Sequence, residues 1–172
     1  MLTESHILAL EYVSHLLHNA QDDWWVIGSA AIALHGVDVG PVNDIDILVS
    51  LRDAQALRLA TGTANRAVTG SKKFRSEVFL QLDYDGIPLE VMANFSVNHQ
   101  GRWQAILPTS RQAFNLGNAC VYAPALRELV EILRVFSREK DRQRIRFIDQ
   151  SLGGLPADSC RGLAAAKSRT RF

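Results

Sequence analysis

The segment EVFLQLDYDGIPLEVMANF constrains the fold more strongly than any other part of the chain. Residues 77–84 and 87–95 are two strand-like runs, and the dipeptide Asp85-Gly86 joins them. An Asp-Gly pair between two such runs is a strong short-range signal for a β-hairpin, because the tight turn needs residues that tolerate positive φ. We therefore expect two adjacent antiparallel strands, in each of which alternate side chains share one face.

Apolar residues and the Ser, Gly and Pro residues between them outline the remaining elements. Their spacing predicts helices, the first with Thr3 as its N-cap, over 3–19, 29–36, 52–60, 125–136 and 138–150. Short apolar runs predict further strands over 24–28, 44–50, 103–107 and 119–122. Loops are predicted over 37–43 and 62–76. The assignment of 96–118 stays open outside its one expected strand.

The composition argues against several classes of protein. The chain has 172 residues, a net charge of +1 and two cysteines, Cys120 and Cys160. The near-neutral charge balance gives no general reason to expect nucleic acid or a membrane as partner. The cysteines match neither a zinc spacing nor a disulfide-dense secreted scaffold. No apolar run approaches the roughly 20 residues that span a bilayer, and no signal peptide is evident. We expect a soluble, cytoplasmic protein.

The length favours a single domain. We predict that this domain covers 1–152, with its core in 22–95 and C-terminal helices in 124–150. Residues 153–172 are small, polar and basic, which predicts a flexible tail.

Two carboxylates lie on one face of the strand predicted over 44–50. Asp44, Asp46 and Leu48 share this face because side chains alternate along a strand. Like charges so close together repel and raise each other's pKa unless a cation lies between them. Oxygen ligands of this kind suit Mg²⁺ or Mn²⁺. The alternative is a solvated strand end with no ligand.

Glu90 adds a third carboxylate in the middle of the second hairpin strand. If that strand lies beside 44–50, Glu90 joins Asp44 and Asp46 on one face. Three carboxylates from two strands can hold two metal ions roughly 4 Å apart, an arrangement suited to in-line displacement at phosphorus. The alternative is an exposed Glu90 that pairs with Lys72, Lys73 or Arg75.

The dipeptide Gly28-Ser29 lies between a predicted strand and a predicted helix. Backbone N–H groups at such a turn attract anions, and Gly28 has no Cβ to keep a phosphate away. Ser29 can cap the helix and donate to a phosphate oxygen. Helix capping alone is the commoner use of such a serine.

These features in order resemble the DNA polymerase beta-like nucleotidyltransferase superfamily. The resemblance depends on WVIGSAAIALHG, then NDIDILV, then PLEVMANF, and on Arg138-Glu139-Lys140-Asp141 in the C-terminal region. The small abortive-infection and lincosamide-resistance types are the most similar. The resemblance implies an α+β nucleotidyltransferase fold, in which helices flank a small mixed β-sheet and C-terminal helices pack against it.

The resemblance also implies roles for individual residues. Gly28 and Ser29 would hold the phosphates of a nucleoside triphosphate, and Lys140 would contact the triphosphate or pair with Asp141. The catalytic and metal-binding residues would be Asp44, Asp46 and Glu90, with Mg²⁺ or Mn²⁺ as cofactor.

The implied reaction transfers a nucleoside monophosphate from a nucleoside triphosphate to a hydroxyl group. The acceptor would be a small molecule such as an antibiotic, a tRNA end, or a protein hydroxyl in a toxin–antitoxin pair, and a homodimer could complete its site. Relatives often have an Arg and a Thr just before the Asp-x-Asp motif, where this chain has Gly40 and Val42. The alternatives are therefore a nucleotide- or partner-binding module that has lost turnover, or a structural domain.

Other polar and aromatic residues give weaker signals. His15 and His18 have helical spacing for a metal, but a solvated helix face is the preferred interpretation. Trp24 and Trp25 are expected in the core. Nucleic-acid contact receives weak support from the basic residues Arg142, Arg144 and Arg146, which spread around their helix.

Overall fold

The computed structural model of the chain describes residues 1–67 and 71–153. Its helices are α1 (Glu4–Leu16), α2 (Gly28–Leu34), α3 (Leu51–Thr61), α4 (Leu126–Phe136) and α5 (Glu139–Gly153). Its strands are β1 (Trp25–Ile27), β2 (Ile45–Val49), β3 (Phe74–Arg75), β4 (Val78–Tyr84), β5 (Ile87–Ala93), β6 (Ser96–His99), β7 (Arg102–Ala105), β8 (Gln112–Leu116) and β9 (Ala119–Ala123). Apart from Gly153, the tail predicted over 153–172 lies outside the described residues, as does Cys160.

The central sheet has four strands in the order β1-β2-β5-β4. Strands β4 and β5 form the expected antiparallel hairpin, and Asp85 and Gly86 have φ angles of 49° and 81° at its turn. Strand β5 runs parallel to β2, whereas β1 pairs with β2 antiparallel. The sheet is therefore mixed, as predicted, and β2 and the hairpin are neighbours.

One face of this sheet forms the core. Ile47, Leu89 and Val91 are almost completely buried there. Val13 of α1 and Leu57 of α3 lie against them. Because side chains alternate, the polar residues between these positions point to the opposite face.

Two further small sheets follow the central sheet, and their strands β6 and β8 lie in the region 96–118, whose assignment the sequence left open. Strands β3, β6 and β7 form one sheet, and β8 and β9 form another. The expected strand at 103–107 is β7, and the one at 119–122 is β9. The loop predicted over 62–76 is wrong at its end, because Phe74 and Arg75 pair there with Val97 and Ser96 of β6.

Most of the predicted helices and core aromatic residues are confirmed. Thr3 caps α1, where its hydroxyl accepts a hydrogen bond from the backbone N–H of His6. Trp24 and Trp25 are buried, and the indole N–H of Trp25 donates to the carbonyl of Ser110 at 2.9 Å. No helix in the described ranges is long and apolar enough to cross a membrane.

His15 and His18 are both exposed to solvent. His15 and His18 stack with ring centroids 5.6 Å apart on the surface of α1 and the residues after it. No third His, Cys, Asp or Glu within the described ranges completes a metal-binding group with them. The exposure of both rings is what the interpretation as a solvated surface expects.

Candidate functional site

Asp46 and Glu90 are direct neighbours on the face of the sheet that points away from the core. The parallel register of β2 and β5 pairs Asp46 with Glu90. On the other side of β5, Gln81 of β4 pairs with Glu90 and donates a hydrogen bond to it at 3.3 Å. The sheet therefore brings together two of the three carboxylates, and Asp44 lies immediately before β2.

Asp46 has an unusually high pKa, about 7. Burial is the largest cause, and the negative charges of Asp44 and Glu90 raise the pKa further. The positive charges of Arg138 and Lys140 oppose this shift. Within the described part of the chain, no hydrogen-bond donor offsets the charge of Asp46. The carboxylates thus create a negative potential that a bound cation would neutralise.

The donor chemistry fits a hard divalent cation, although the carboxylates do not form a closed cage. Within residues 1–67 and 71–153, no three Asp, Glu, His or Cys side chains converge closely enough to enclose a metal ion as they stand. Asp46 and Glu90 instead form an open pair whose oxygen atoms are the ligand type that Mg²⁺ prefers. Mg²⁺ usually keeps several water or phosphate ligands, so an open carboxylate pair suits it.

Gly28 allows the backbone of the β1–α2 turn to approach the Asp46 carboxylate. Its φ angle is +68°, and a Cβ at this position would collide with Oδ2 of Asp46. Helix α2 begins at Gly28 with Ile27 as its N-cap, and no side chain caps it. The predicted capping role of Ser29 is therefore wrong, because Ser29 already lies buried within the first turn. Its hydroxyl is not occupied by capping.

Replacing Gly28 with Ala is expected to disrupt this turn. The new methyl group needs the space of Oδ2 of Asp46, and the left-handed backbone conformation adds strain of about 1 kcal/mol or more. We expect Gly28→Ala to lower the free energy of unfolding by about 1–3 kcal/mol, measured by urea denaturation. Gly62→Ala is the matched control: it shares the φ of +68° but has open space around it. Equal losses in the two variants would contradict the steric part of this account.

The C-terminal helix carries an ion-pair cluster beside the carboxylates. Asp141 is completely buried and accepts hydrogen bonds from Nε and Nη2 of Arg138 at 2.7 and 2.9 Å. Nη1 of Arg144 lies 3.8 Å from Oδ1 of Asp141, the oxygen that also accepts from Nη2 of Arg138. The predicted pairing of Lys140 with Asp141 is therefore wrong, since Arg138 is the partner. Lys140 is exposed, and its charge acts on Asp46.

The alternative pairing of Glu90 with nearby basic residues does not occur among the described residues. Lys73 donates instead to the carbonyl of Asn98 and the hydroxyl of Ser137, each at 3.2 Å. Arg75 stacks over the ring of Trp103 at 4.3 Å. No ion pair in the described ranges includes Glu90.

A cavity of about 390 Å³ opens directly beside Asp46 and Glu90. Arg138 lines it, together with several aromatic residues that sequence reasoning did not select. The pattern of residues gives no local signal for these positions, because they come from β3, β4, the β5–β6 connection and the α4–α5 junction, which meet only in the folded chain. The Arg138-x-Lys140-Asp141 motif was the one available indication.

The comparisons with known proteins agree with this architecture. No family model and no curated protein sequence matches the chain. Among solved structures, a "putative nucleotidyltransferase" from Thermotoga maritima superposes with a TM-score of 0.68 at 21% identity, over 89% of this chain and 96% of that one. The chain has the nucleotidyltransferase fold. The resemblance seen in the sequence is thus confirmed for the fold.

Two antibiotic-modifying enzymes share this nucleotidyltransferase fold at lower similarity. The lincosamide antibiotic adenylyltransferase LnuA, bound to lincomycin, matches with a TM-score of 0.55 and 14% identity over 86% of this chain and 97% of LnuA. ANT(2")-Ia, in complex with adenylyl-2"-tobramycin, matches with a TM-score of 0.53 and 11% identity over 87% of this chain and 90% of that one. The chain therefore spans nearly the full length of all three structures.

Proposed function

We propose that this protein is a metal-dependent nucleotidyltransferase that transfers a nucleoside monophosphate from a nucleoside triphosphate to a hydroxyl group. The pairing of Asp46 with Glu90 on adjacent strands, with the Asp46 carboxylate against the backbone of Gly28, is the observation that carries this proposal. The fold and its adenylyltransferase neighbours support it.

Different residues of the chain would bind the phosphates, hold the metal and accept the proton. Gly28 and Ser29 would hold the β- and γ-phosphates at the turn before α2, and Lys140 would contact the triphosphate from α5. Asp44, Asp46 and Glu90 would hold Mg²⁺ or Mn²⁺, which when bound neutralises charge on the phosphates and lowers the pKa of a coordinated hydroxyl. Glu90 lies on the side of Asp46 away from Gly28, where it would orient the acceptor hydroxyl and accept its proton.

The proposal predicts metal-dependent binding of a nucleoside triphosphate. Thermal unfolding with ATP, CTP, GTP or UTP and Mg²⁺ should show an increase in Tm for at least one of the four. A ligand at a hundred times its Kd stabilises the native state by about 2.7 kcal/mol, which is roughly 5–10 °C for a chain of this size. EDTA should abolish the shift.

The double variant Asp44→Asn/Asp46→Asn should lose this shift relative to its own Tm without ligand. Asp149→Asn is the control, because Asp149 is an exposed carboxylate on α5. Absence of a shift with all four nucleotides would contradict the proposed function.

Pyrophosphate release distinguishes the enzyme from the alternative, a binding module without turnover. Pyrophosphate release together with the Tm shift supports the enzyme, whereas a Tm shift without release with any acceptor favours the binding module. The acceptor class, the homodimer and a toxin–antitoxin partner stay predictions from the resemblance.

A further inference from the structure

A row of apolar side chains runs beside the carboxylate row on the same face of the central sheet. The register pairs Leu48 with Met92 and Met92 with Phe79, one step along the strands from Asp46, Glu90 and Gln81. Met92 and Phe79 line the 390 Å³ cavity together with Asp46 and Glu90. The floor of this cavity is thus apolar and ends at the carboxylates.

Aromatic side chains from elsewhere in the chain close the cavity on another side. Phe74, Phe95 and Phe136 form a cluster with ring centroids 5.5–5.9 Å apart, and all three line the cavity. Its volume lies at the lower end of the range for small-molecule sites, roughly 300–1,000 Å³. Such walls favour a compact ligand with an apolar, preferably ring-shaped, body.

With the proposed metal bound to the carboxylates, the charged groups of the cavity wall would disfavour cationic ligands. Arg138 lies over the rings of Phe74 and Phe136 at 5.0 and 5.3 Å, and Asp141 holds it in this position. Arg75 also lines the cavity. Among the described residues that line the cavity, the carboxylates are Asp46 and Glu90, whose charge the proposed metal would neutralise.

The cavity lies on the side of the carboxylates that an acceptor would use. Asp46 contacts Gly28 on the β1 side of β2, where the triphosphate is proposed to bind. The cavity reaches from Ile27 of β1 past Asp46 and Glu90 to Phe79 of β4, so most of it lies on the side of Asp46 away from Gly28. In-line displacement places the attacking hydroxyl and the leaving pyrophosphate on opposite sides of the phosphorus.

We propose that this cavity holds the body of the acceptor, and that the acceptor is a hydroxyl-bearing small molecule with an apolar ring and no ammonium group. The inference rests on the proposed function and specifies its acceptor class. The hydroxyl oxygen would attack the α-phosphorus as the bond to pyrophosphate breaks, and its proton would pass to Glu90.

A pair of probes that differ in one group tests the charge preference. 2-(2-Naphthyl)ethanol and 2-(2-naphthyl)ethylamine share a ring and a chain but carry a hydroxyl and an ammonium group, respectively. Calorimetric titration in the presence of Mg²⁺ should give the alcohol a Kd at least fivefold lower than that of the amine. Tobramycin should bind more weakly than the alcohol. Equal or tighter binding of the amine or of tobramycin would overturn the inference.

Variants of the cavity wall locate the binding. Phe79→Ala should raise the Kd of the naphthyl alcohol about tenfold, because it removes most of an aromatic contact. Phe147→Ala is the matched control, since Phe147 is 46% exposed on α5 and does not line the cavity. If Phe79→Ala does not fold, Ser76→Leu fills the cavity without removing core atoms and should also weaken binding. Unchanged affinity in every folded wall variant would overturn the inference.

Competition with nucleotide separates the two proposals. Saturating Mg-ATP (or whichever nucleotide shifts the Tm) should leave binding of the naphthyl alcohol unchanged. Displacement of the alcohol by the nucleotide would show that the cavity receives the nucleobase instead of the acceptor. That result would overturn the inference. A nucleotide shift without any alcohol binding contradicts the inference and leaves the proposed function standing. Absence of the nucleotide shift contradicts both.

Discussion

Replacing Asp46 with Asn is expected to stabilise the metal-free protein while abolishing nucleotidyl transfer. In the folded protein the pKa of Asp46 is about 7, well above that of an Asp in the unfolded chain. Between about pH 4 and pH 7 the unfolded chain therefore loses this proton more readily than the folded chain does. The wild-type contribution of Asp46 to stability is complete below pH 4 and declines as the pH rises through 7.

Asparagine has nearly the same shape and no charge, so Asp46→Asn removes this decline. At pH 8 in EDTA the variant should be more stable than the wild type by about 2–4 kcal/mol, since one pKa unit corresponds to about 1.4 kcal/mol. At pH 4 the two should be nearly equal. Guanidinium unfolding at both pH values measures the difference.

Two further measurements make this prediction specific. Asp149→Asn, an exposed substitution of the same type, should leave stability at pH 8 within about 0.5 kcal/mol of the wild type. Pyrophosphate release with Mg²⁺ and the preferred nucleotide should fall at least 100-fold in Asp46→Asn, about 2.7 kcal/mol of lost transition-state stabilisation. If Asp46→Asn is less stable than the wild type at pH 8, the negative charge of Asp46 does not destabilise the metal-free protein, and this prediction is wrong.

The elements that build the carboxylate pair could be predicted because short-range signals determine them. Asp85-Gly86 fixes the hairpin, and the alternation of Asp44 and Asp46 with Ile45 and Ile47 indicates which side chains point away from the core. The hypothesis of a shared carboxylate site required β2 and β5 to be neighbours. They are neighbours, and their parallel register places Asp46 opposite Glu90. Short-range sequence signals thus determine most of this part of the fold.

Elements that depend on distant partners could not be predicted in the same way. The turn between β6 and β7 uses Gln100 and Gly101 with φ angles of 51° and 80°, although Gln is not a residue that this turn type usually selects. The two-residue strand β3 exists only because β6 lies beside it. Such short strands have no pattern of their own.

The role of Ser29 shows how a local signal can mislead. A serine directly after an apolar strand predicts a helix N-cap. Here Gly28 adopts a positive φ and becomes the first helical residue, so the N-cap is Ile27, two positions before the serine. The close approach of Gly28 to Asp46 is the tertiary constraint that the sequence pattern did not contain.

Replacing Asp141 with Ala is expected to cause the largest loss of stability among the substitutions considered. Its carboxylate is completely buried, pairs with Arg138 through two hydrogen bonds, and accepts a third from the backbone N–H of Arg138 at 3.0 Å. Removing one member of a buried ion pair leaves the other charge uncompensated and typically costs 3–5 kcal/mol. The half-buried Arg144 would lose its partner as well. Urea unfolding measures the loss.

Glu139→Ala provides a matched control two residues away in the same helical turn. Glu139 also pairs with an arginine, Arg142, but both side chains are more than half exposed, so this pair should contribute at most about 1 kcal/mol. The contrast tests burial because pair type and helix position are nearly constant between the two substitutions. A loss for Asp141→Ala no larger than that for Glu139→Ala would mean that Arg138 finds other partners or reaches water. In that case Arg138 would no longer be fixed beside the aromatic rings, and the charge argument for the cavity would lose its structural basis.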